Sequence, residues 1–135
     1  SEIVQDASST LADVTLSQGG GSTGLVRQAQ PGSKASIAIK NGTGSRAVLV
    51  QTGRGRGNAA DVDIDGSSND IDIAQHGDDG GHEASVAQAG ENSQVALVQQ
   101  GKAGNVTTID QNGTDGSAVV RQDNSPRNKA KIVIG

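Results

Sequence analysis

Residues 61–72 read DVDIDGSSNDID, and the spacing is that of a calcium-binding loop. Asp61, Asp63, Asp65, Gly66 and Asp72 fall at loop positions 1, 3, 5, 6 and 12, with Asp replacing the usual final Glu. Alternating carboxylates on either side of a Gly turn are the ligand chemistry a hard cation needs. Asp78, Asp79, Glu83 and Glu91 follow, so the region also attracts cations diffusely. His76 and His82 are the only histidines. Neither has a paired His, and the chain has no Cys, so zinc and thiolate chemistry lack their ligands. GRGRG at 53–57 could contact phosphate, but arginines between turn glycines account for it equally. Asn41, Asn105 and Asn112 begin glycosylation sequons, which matter only in a eukaryotic secretory setting.

What positions these residues is a repeat. The chain of 135 residues has no Phe, Tyr, Trp, Met or Cys, 20 Gly and two Pro. A core of this size without aromatics argues against an ordinary two-layer domain. Net charge is only −4, and the β-branched residues are not scattered, so disorder does not fit either. Charge alternates in sign along the chain, leaving no single basic face for nucleic acid. No segment is long and apolar enough to insert in a membrane, and no signal peptide is present.

A six-residue frame opens on a small polar residue at Ser22, Ser33, Ser45, Asn58, Asn69, His82, Ser93, Asn105, Gly116 and Asn128, with Ala12 opening one more. Its fifth position is always a branched aliphatic: Leu16, Val26, Ile37, Leu49, Val62, Ile73, Val86, Leu97, Ile109, Val120 and Ile132. Six residues after the opening stand Gln18, Gln28, Ile39, Gln51, Ile64, Gln75, Gln88, Gln99, Gln111, Gln122 and Ile134. A truncated first copy adds Ile3 and Gln5. Even spacing puts these columns on one face of each strand. Two residues further on, Gly20, Gly53, Gly66, Gly77, Gly90, Gly101 and Gly113, or Asn41 and Asn124, suit a tight turn.

A longer period lies above this. Gln5, Gln28, Gln51, Gln75, Gln99 and Gln122 are 23, 23, 24, 24 and 23 residues apart. The unit is therefore strand–turn–strand–turn. One unit cannot bury its apolar face alone; stacking buries it. The expected fold is all-β, a β-solenoid of two facing parallel sheets with about six coils of ~23 residues, cross-β and amyloid-like, spanning 1–135 as one domain. Six coils at ~4.8 Å make a rod roughly 29 Å long. In this register the nine glutamines Gln5, Gln18, Gln28, Gln51, Gln75, Gln88, Gln99, Gln111 and Gln122 face inward as amide ladders, and the Ser/Asn column at the frame's start can stack in the same way, less regularly. Asp61 and Asp72 fall on opposite sheets, which works against one shared ion. Asp13 and Lys129 take the same frame position near opposite ends, and head-to-tail stacking would bring them together. Open strand edges at both ends would template further pairing, which predicts a filament.

SRAVLVQTG (45–53), SQVALVQQG (93–101) and NVTTIDQNG (105–113) resemble the half-repeats of curlin, the subunit repeat of bacterial curli fibres. NKAKIVIG (128–135) is similar, with Ile in the Gln place. The resemblance covers essentially the whole chain. It implies a structural subunit, major or minor, of an extracellular, cell-surface functional amyloid in a biofilm matrix, polymerising with itself. It also implies a nucleator and an outer-membrane export pore as partners, no enzymatic activity and no cofactor. The alternative is a soluble β-solenoid binding module of adhesin or ice-binding type. Its weakness is the outer face, which mixes Lys, Asp, Ser and Val where an ice binder carries a flat Thr array. A polysaccharide-acting β-helix enzyme would need longer strands and loop insertions.

Overall fold

The computed structural model describes residues 1–8, 10–18, 20–54, 57–79, 81–102, 104–123 and 127–135. Gly55, Arg56 and Asn124, assigned to turns from the sequence, lie outside them. The strands are β1 (Glu2–Gln5), β2 (Leu11–Ser17), β3 (Thr23–Gln28), β4 (Lys34–Lys40), β5 (Arg46–Gly53) and β6 (Ala59–Asp65), followed by β7 (Asp70–Gly77), β8 (Glu83–Ala89), β9 (Gln94–Gly101), β10 (Val106–Asn112), β11 (Ser117–Asp123) and β12 (Lys129–Ile134). Odd-numbered strands form one six-stranded sheet in the order β1-β3-β5-β7-β9-β11, and even-numbered strands form the other in the order β2-β4-β6-β8-β10-β12. All pairings are parallel. The chain thus winds as an all-β solenoid, each strand lying on the one two places earlier.

Alternation explains the strands. Inward residues of β7 (Ile71, Ile73 and Gln75) are buried, while Asp72, Ala74 and His76 between them are exposed. Val26, Ile37, Leu49, Val62, Ile73, Val86, Leu97, Ile109 and Val120 form the buried core column, and Ile132 packs against it partly buried. Each such side chain contributes about 1.5–3 kcal/mol when fully removed from water. Ala35, Ala47, Ala60, Ala84 and Ala118 fill the narrow space two residues before. A core of small and branched side chains is thin, so two sheets can close on it without aromatics.

Two kinds of turn hold the strands at this spacing. After the Gln/Ile column, Gly53, Gly66, Gly90, Gly101 and Gly113 take positive φ. At Gly66 a Cβ would also collide with the carbonyl of Gly90 in the next coil. A second left-handed position, immediately before the frame opens, is occupied by Gly44, Ser68, Asn92 and Asp115 (φ 69, 58, 55 and 59). Between β3 and β4, Gln30-Pro31-Gly32-Ser33 makes a type II turn: Gly32 has φ 74, and Ser33 N–H donates to Gln30 C=O at 3.4 Å.

The first even-numbered strand departs from the expected frame by two residues. Val14 pairs with Ile37 and Leu16 with Ile39. Leu16 therefore stands in the Gln/Ile column, not the fifth, and Val14 takes the core column. Gln18 is not inward: it is exposed with φ 54, the turn role that Asn41 (φ 51) plays one coil later. The physical reason lies in the neighbour. An inward Gln18 would set its amide on the aliphatic Ile39, whereas Leu16 on Ile39 is an apolar contact. The shift also moves Asp13, which shares a column with Ser36, Asp61, Ser85, Thr108 and Lys131; Lys129 shares its column with Leu11 instead.

Candidate functional site

Gln5, Gln28, Gln51, Gln75, Gln99 and Gln122 close the inner face of the six odd-numbered strands and stand in direct register. Each amide nitrogen donates to the next amide oxygen: Gln5 to Gln28 at 2.9 Å, Gln28 to Gln51 at 2.8 Å, then Gln51 to Gln75, Gln75 to Gln99 and Gln99 to Gln122, each at 2.9 Å. All five bonds point the same way along the stack. Aligned amides polarise one another, so such a chain is stronger than its isolated pairs.

From Gln28 onward the second amide proton is also used. Gln28 donates to Leu11 C=O at 3.1 Å, Gln51 to Lys34 C=O at 3.0 Å, Gln75 to Ala59 C=O at 3.1 Å and Gln99 to Glu83 C=O at 3.1 Å. These carbonyls belong to the opposite sheet. The glutamines are therefore rungs along the stack and ties across it. Thr107 joins them: its hydroxyl donates to Gln122 Oε1 at 2.8 Å and, 3.1 Å from Gln99 Nε2, shares one of the two Gln99 protons.

The even-numbered strands differ. Leu16, Ile39 and Ile64 make their matching column apolar through three coils, and Gln88 and Gln111 follow. Gln88 donates to Asn69 Oδ1 at 3.0 Å, but its oxygen has no partner among the described residues. Gln111 is buried with neither amide atom paired among them. Its amide lies against Gly116, where a Cβ would collide with it and where no side chain offers a partner. These two glutamines share the inward face but not the ladder.

A second ladder runs through the column that opens each strand. In the odd-numbered sheet, Asn69 N–H donates to Ser45 Oγ at 3.3 Å, Ser93 N–H to Asn69 Oδ1 at 3.0 Å and Gly116 N–H to Ser93 Oγ at 3.3 Å. In the even-numbered sheet, Asn58 N–H donates to Ser33 Oγ at 3.2 Å, His82 N–H to Asn58 Oδ1 at 2.9 Å, Asn105 N–H to His82 Nδ1 at 3.0 Å and Asn128 N–H to Asn105 Oδ1 at 3.2 Å. The column therefore selects for an acceptor atom, which is why Ser, Asn and one His share it. Burial lowers the pKa of His82; its bond to the His76 carbonyl opposes that shift, and the His76 charge adds to it.

Gln30 is a fully buried glutamine that the frame does not reach. It accepts from Asn58 Nδ2 at 2.6 Å and donates to Gly77 C=O at 3.2 Å.

The acidic stretch does not converge. Asp61, Asp63 and Asp65 point outward from β6, and Asp72 lies on the other sheet. Asp63, Asp65 and Asp72 each pair with a neighbour rather than a common centre: Lys40 bridges Asp63 at 3.0 Å, Asn41 donates to Asp65 at 2.9 Å, and Arg46 bridges Asp70 at 2.6 Å and Asp72 at 2.9 Å. The hydrogen bond to Asp70 is the main cause of a raised Arg46 pKa. Among the described residues, no three His, Cys, Asp or Glu side chains are grouped to hold a metal ion. His76 is exposed, bonded to Thr52 Oγ1 through Nδ1 at 2.9 Å and lying 3.6 Å from Asp78 through Nε2.

Residues 54–77 match a family model described as the curlin associated repeat. That span is one period of the solenoid, carrying β6, β7 and the Gln75 rung. No curated protein and no solved structure matches the chain.

Proposed function

We propose that this chain is a structural subunit of an extracellular, curli-type functional amyloid fibre of a bacterial biofilm matrix. In this role it catalyses nothing. It polymerises with copies of itself, head to tail, by strand templating. The observation that supports this best is the run of five Gln–Gln bonds of one polarity. Every rung asks for an identical amide above and below, a demand that a second copy of the same coil meets.

The edges of the stack fit such growth. A second copy continuing the register would place its β1 and β2 on β11 and β12. Gln122 would then face Gln5, and Lys131 would face Asp13, so opposite charges meet where the sequence suggested Lys129. The curlin resemblance adds a nucleator and an export pore as partners and the cell surface as the destination.

One observation favours a soluble binding module. An open groove of about 820 Å³ runs along the outer face of the even-numbered sheet, between the outward row of Lys34, Ala59 and Glu83 and that of Ser36, Asp61 and Ser85. Incubation of the purified chain separates the two: fibres that bind thioflavin support the subunit, and a lasting monomer supports the module.

A further inference from the structure

His82 occupies an acceptor position with a group that can lose its acceptor. Its ring is committed at both nitrogens. Nδ1 accepts the Asn105 N–H at 3.0 Å, and Nε2 lies 3.0 Å from the His76 carbonyl, to which it can only donate. The ring is thus the neutral tautomer with its proton on Nε2. One coil earlier Asn58 does the same work, accepting the His82 N–H through Oδ1 and donating to the Thr52 carbonyl, six residues back, at 3.4 Å. Asn cannot be protonated at any ordinary pH; imidazole can. An imidazolium would aim an N–H from Nδ1 straight at the Asn105 N–H, donor against donor, at a residue with 0% exposure.

The charged surroundings offer no relief. The ionisable groups near this turn are His76, Asp78 and Asp79 before it and Glu83 after it, with Arg54 and Lys102 lining the same surface pocket as His76, Asp78 and Asp79. None of the hydrogen bonds described for the His82 side chain goes to a carboxylate. His76 acts on it through charge, and a protonated His76 opposes a second positive ring.

We propose that His82 is an acid-sensitive rung: the coil formed by β7 and β8 stays locked to its neighbours only while this imidazole is neutral, and acid loosens the stack there. The lock lies within one chain and does not depend on fibre formation. The sign follows from linkage. The folded chain holds His82 neutral to lower pH than the unfolded chain, where His titrates near 6.5. Below that pH the unfolded state binds the extra proton, so stability is full above about pH 7 and falls as pH drops through about 6.5. One proton changes the unfolding equilibrium by up to about tenfold per pH unit.

The test is denaturant unfolding of the full chain between pH 5 and 7.5, for the wild type, His82→Asn and His76→Asn. Asn is native to this column at Asn58, Asn69 and Asn105, so the substitution suits the fold. The wild type and His76→Asn should lose stability by up to about tenfold in equilibrium constant per pH unit below 6.5, and His82→Asn should lose that slope. A His82→Asn slope equal to the wild type overturns the proposal. Should His82→Asn not fold, NMR titration of the wild-type His82 ring decides: neutrality persisting below about pH 6 supports it, and titration at the ordinary value near 6.5 overturns it.

Discussion

Gln75 donates one amide proton to Gln99 Oε1 at 2.9 Å and the other to the Ala59 carbonyl at 3.1 Å. One side chain thereby fixes the distance between coils and the distance between sheets. It also accepts from Gln51, so it sits at the centre of a run in which each amide is used on both sides.

Gln75→Ala should be among the costliest single changes. It leaves the Gln99 oxygen and one Gln51 proton without their partners and cuts the tie to the Ala59 carbonyl. Each orphaned buried group costs on the order of 1–3 kcal/mol. His76→Ala, one residue on, removes an exposed ring. Denaturant midpoints should fall far more for Gln75→Ala, and fibre growth should slow more; equal effects would contradict the register.

Gln111→Ile should behave in the opposite way. Its amide is already unpaired among the described residues, and Ile134 lies next to it in register. Removing a buried unsatisfied amide and adding apolar contact should leave the chain as stable or raise stability by about 1 kcal/mol. Equilibrium unfolding checks this. A loss resembling that of Gln75→Ala would show that Gln111 has a partner after all.

The glutamine period, the alternation and the parallel stacking were legible in the sequence because each is a spacing, and a solenoid turns spacing directly into contact. Where spacing admitted two answers, the frame slipped. Residues 12–18 carry Val14 and Leu16 two apart, so either could fill the core column. Measured to Ile39, Gln18 leaves only 21 residues, against 23 for Leu16 and Gln28→Gln51, and that shortfall was the available signal. Three other features were illegible for different reasons. Pairing of Gln88 and Gln111 depends on the residue across the core, Asn69 in one case and Gly116 in the other. Gln30 is buried by a turn outside the frame. The Ser/Asn column was expected to stack side chain on side chain; that its acceptors instead take the next coil's backbone N–H shows only when that N–H is placed.

Gly66→Ala and Ser68→Gly, two residues apart, should have opposite signs. Gly66 has φ 137 and no room for a Cβ beneath the Gly90 carbonyl. Alanine there should cost about 2 kcal/mol or more, from backbone strain and displacement of the next coil. Ser68 holds φ 58 with a side chain, a conformation that costs a non-glycine residue about 1–2 kcal/mol. Ser68→Gly should therefore be neutral or stabilising. Thermal unfolding of the two variants side by side decides, and a neutral Gly66→Ala would contradict the close stacking of turns.

The corrected first coil has its own test. Gln18→Gly should be neutral or stabilising by up to about 1 kcal/mol, since Gln18 is exposed at φ 54. Leu16→Asp should destabilise, because Leu16 stacks on the buried Ile39. Unfolding curves in which Gln18→Gly is the more damaging change would restore the other frame.

The most direct measurement is on the purified chain incubated alone, with thioflavin fluorescence followed by fibre diffraction. Templated stacking in this register predicts unbranched fibres, a meridional reflection at about 4.7–4.8 Å, and faster growth when preformed fibres are added. A chain that keeps its β-sheet content yet remains a monomer at high concentration, seeded or not, would contradict the account.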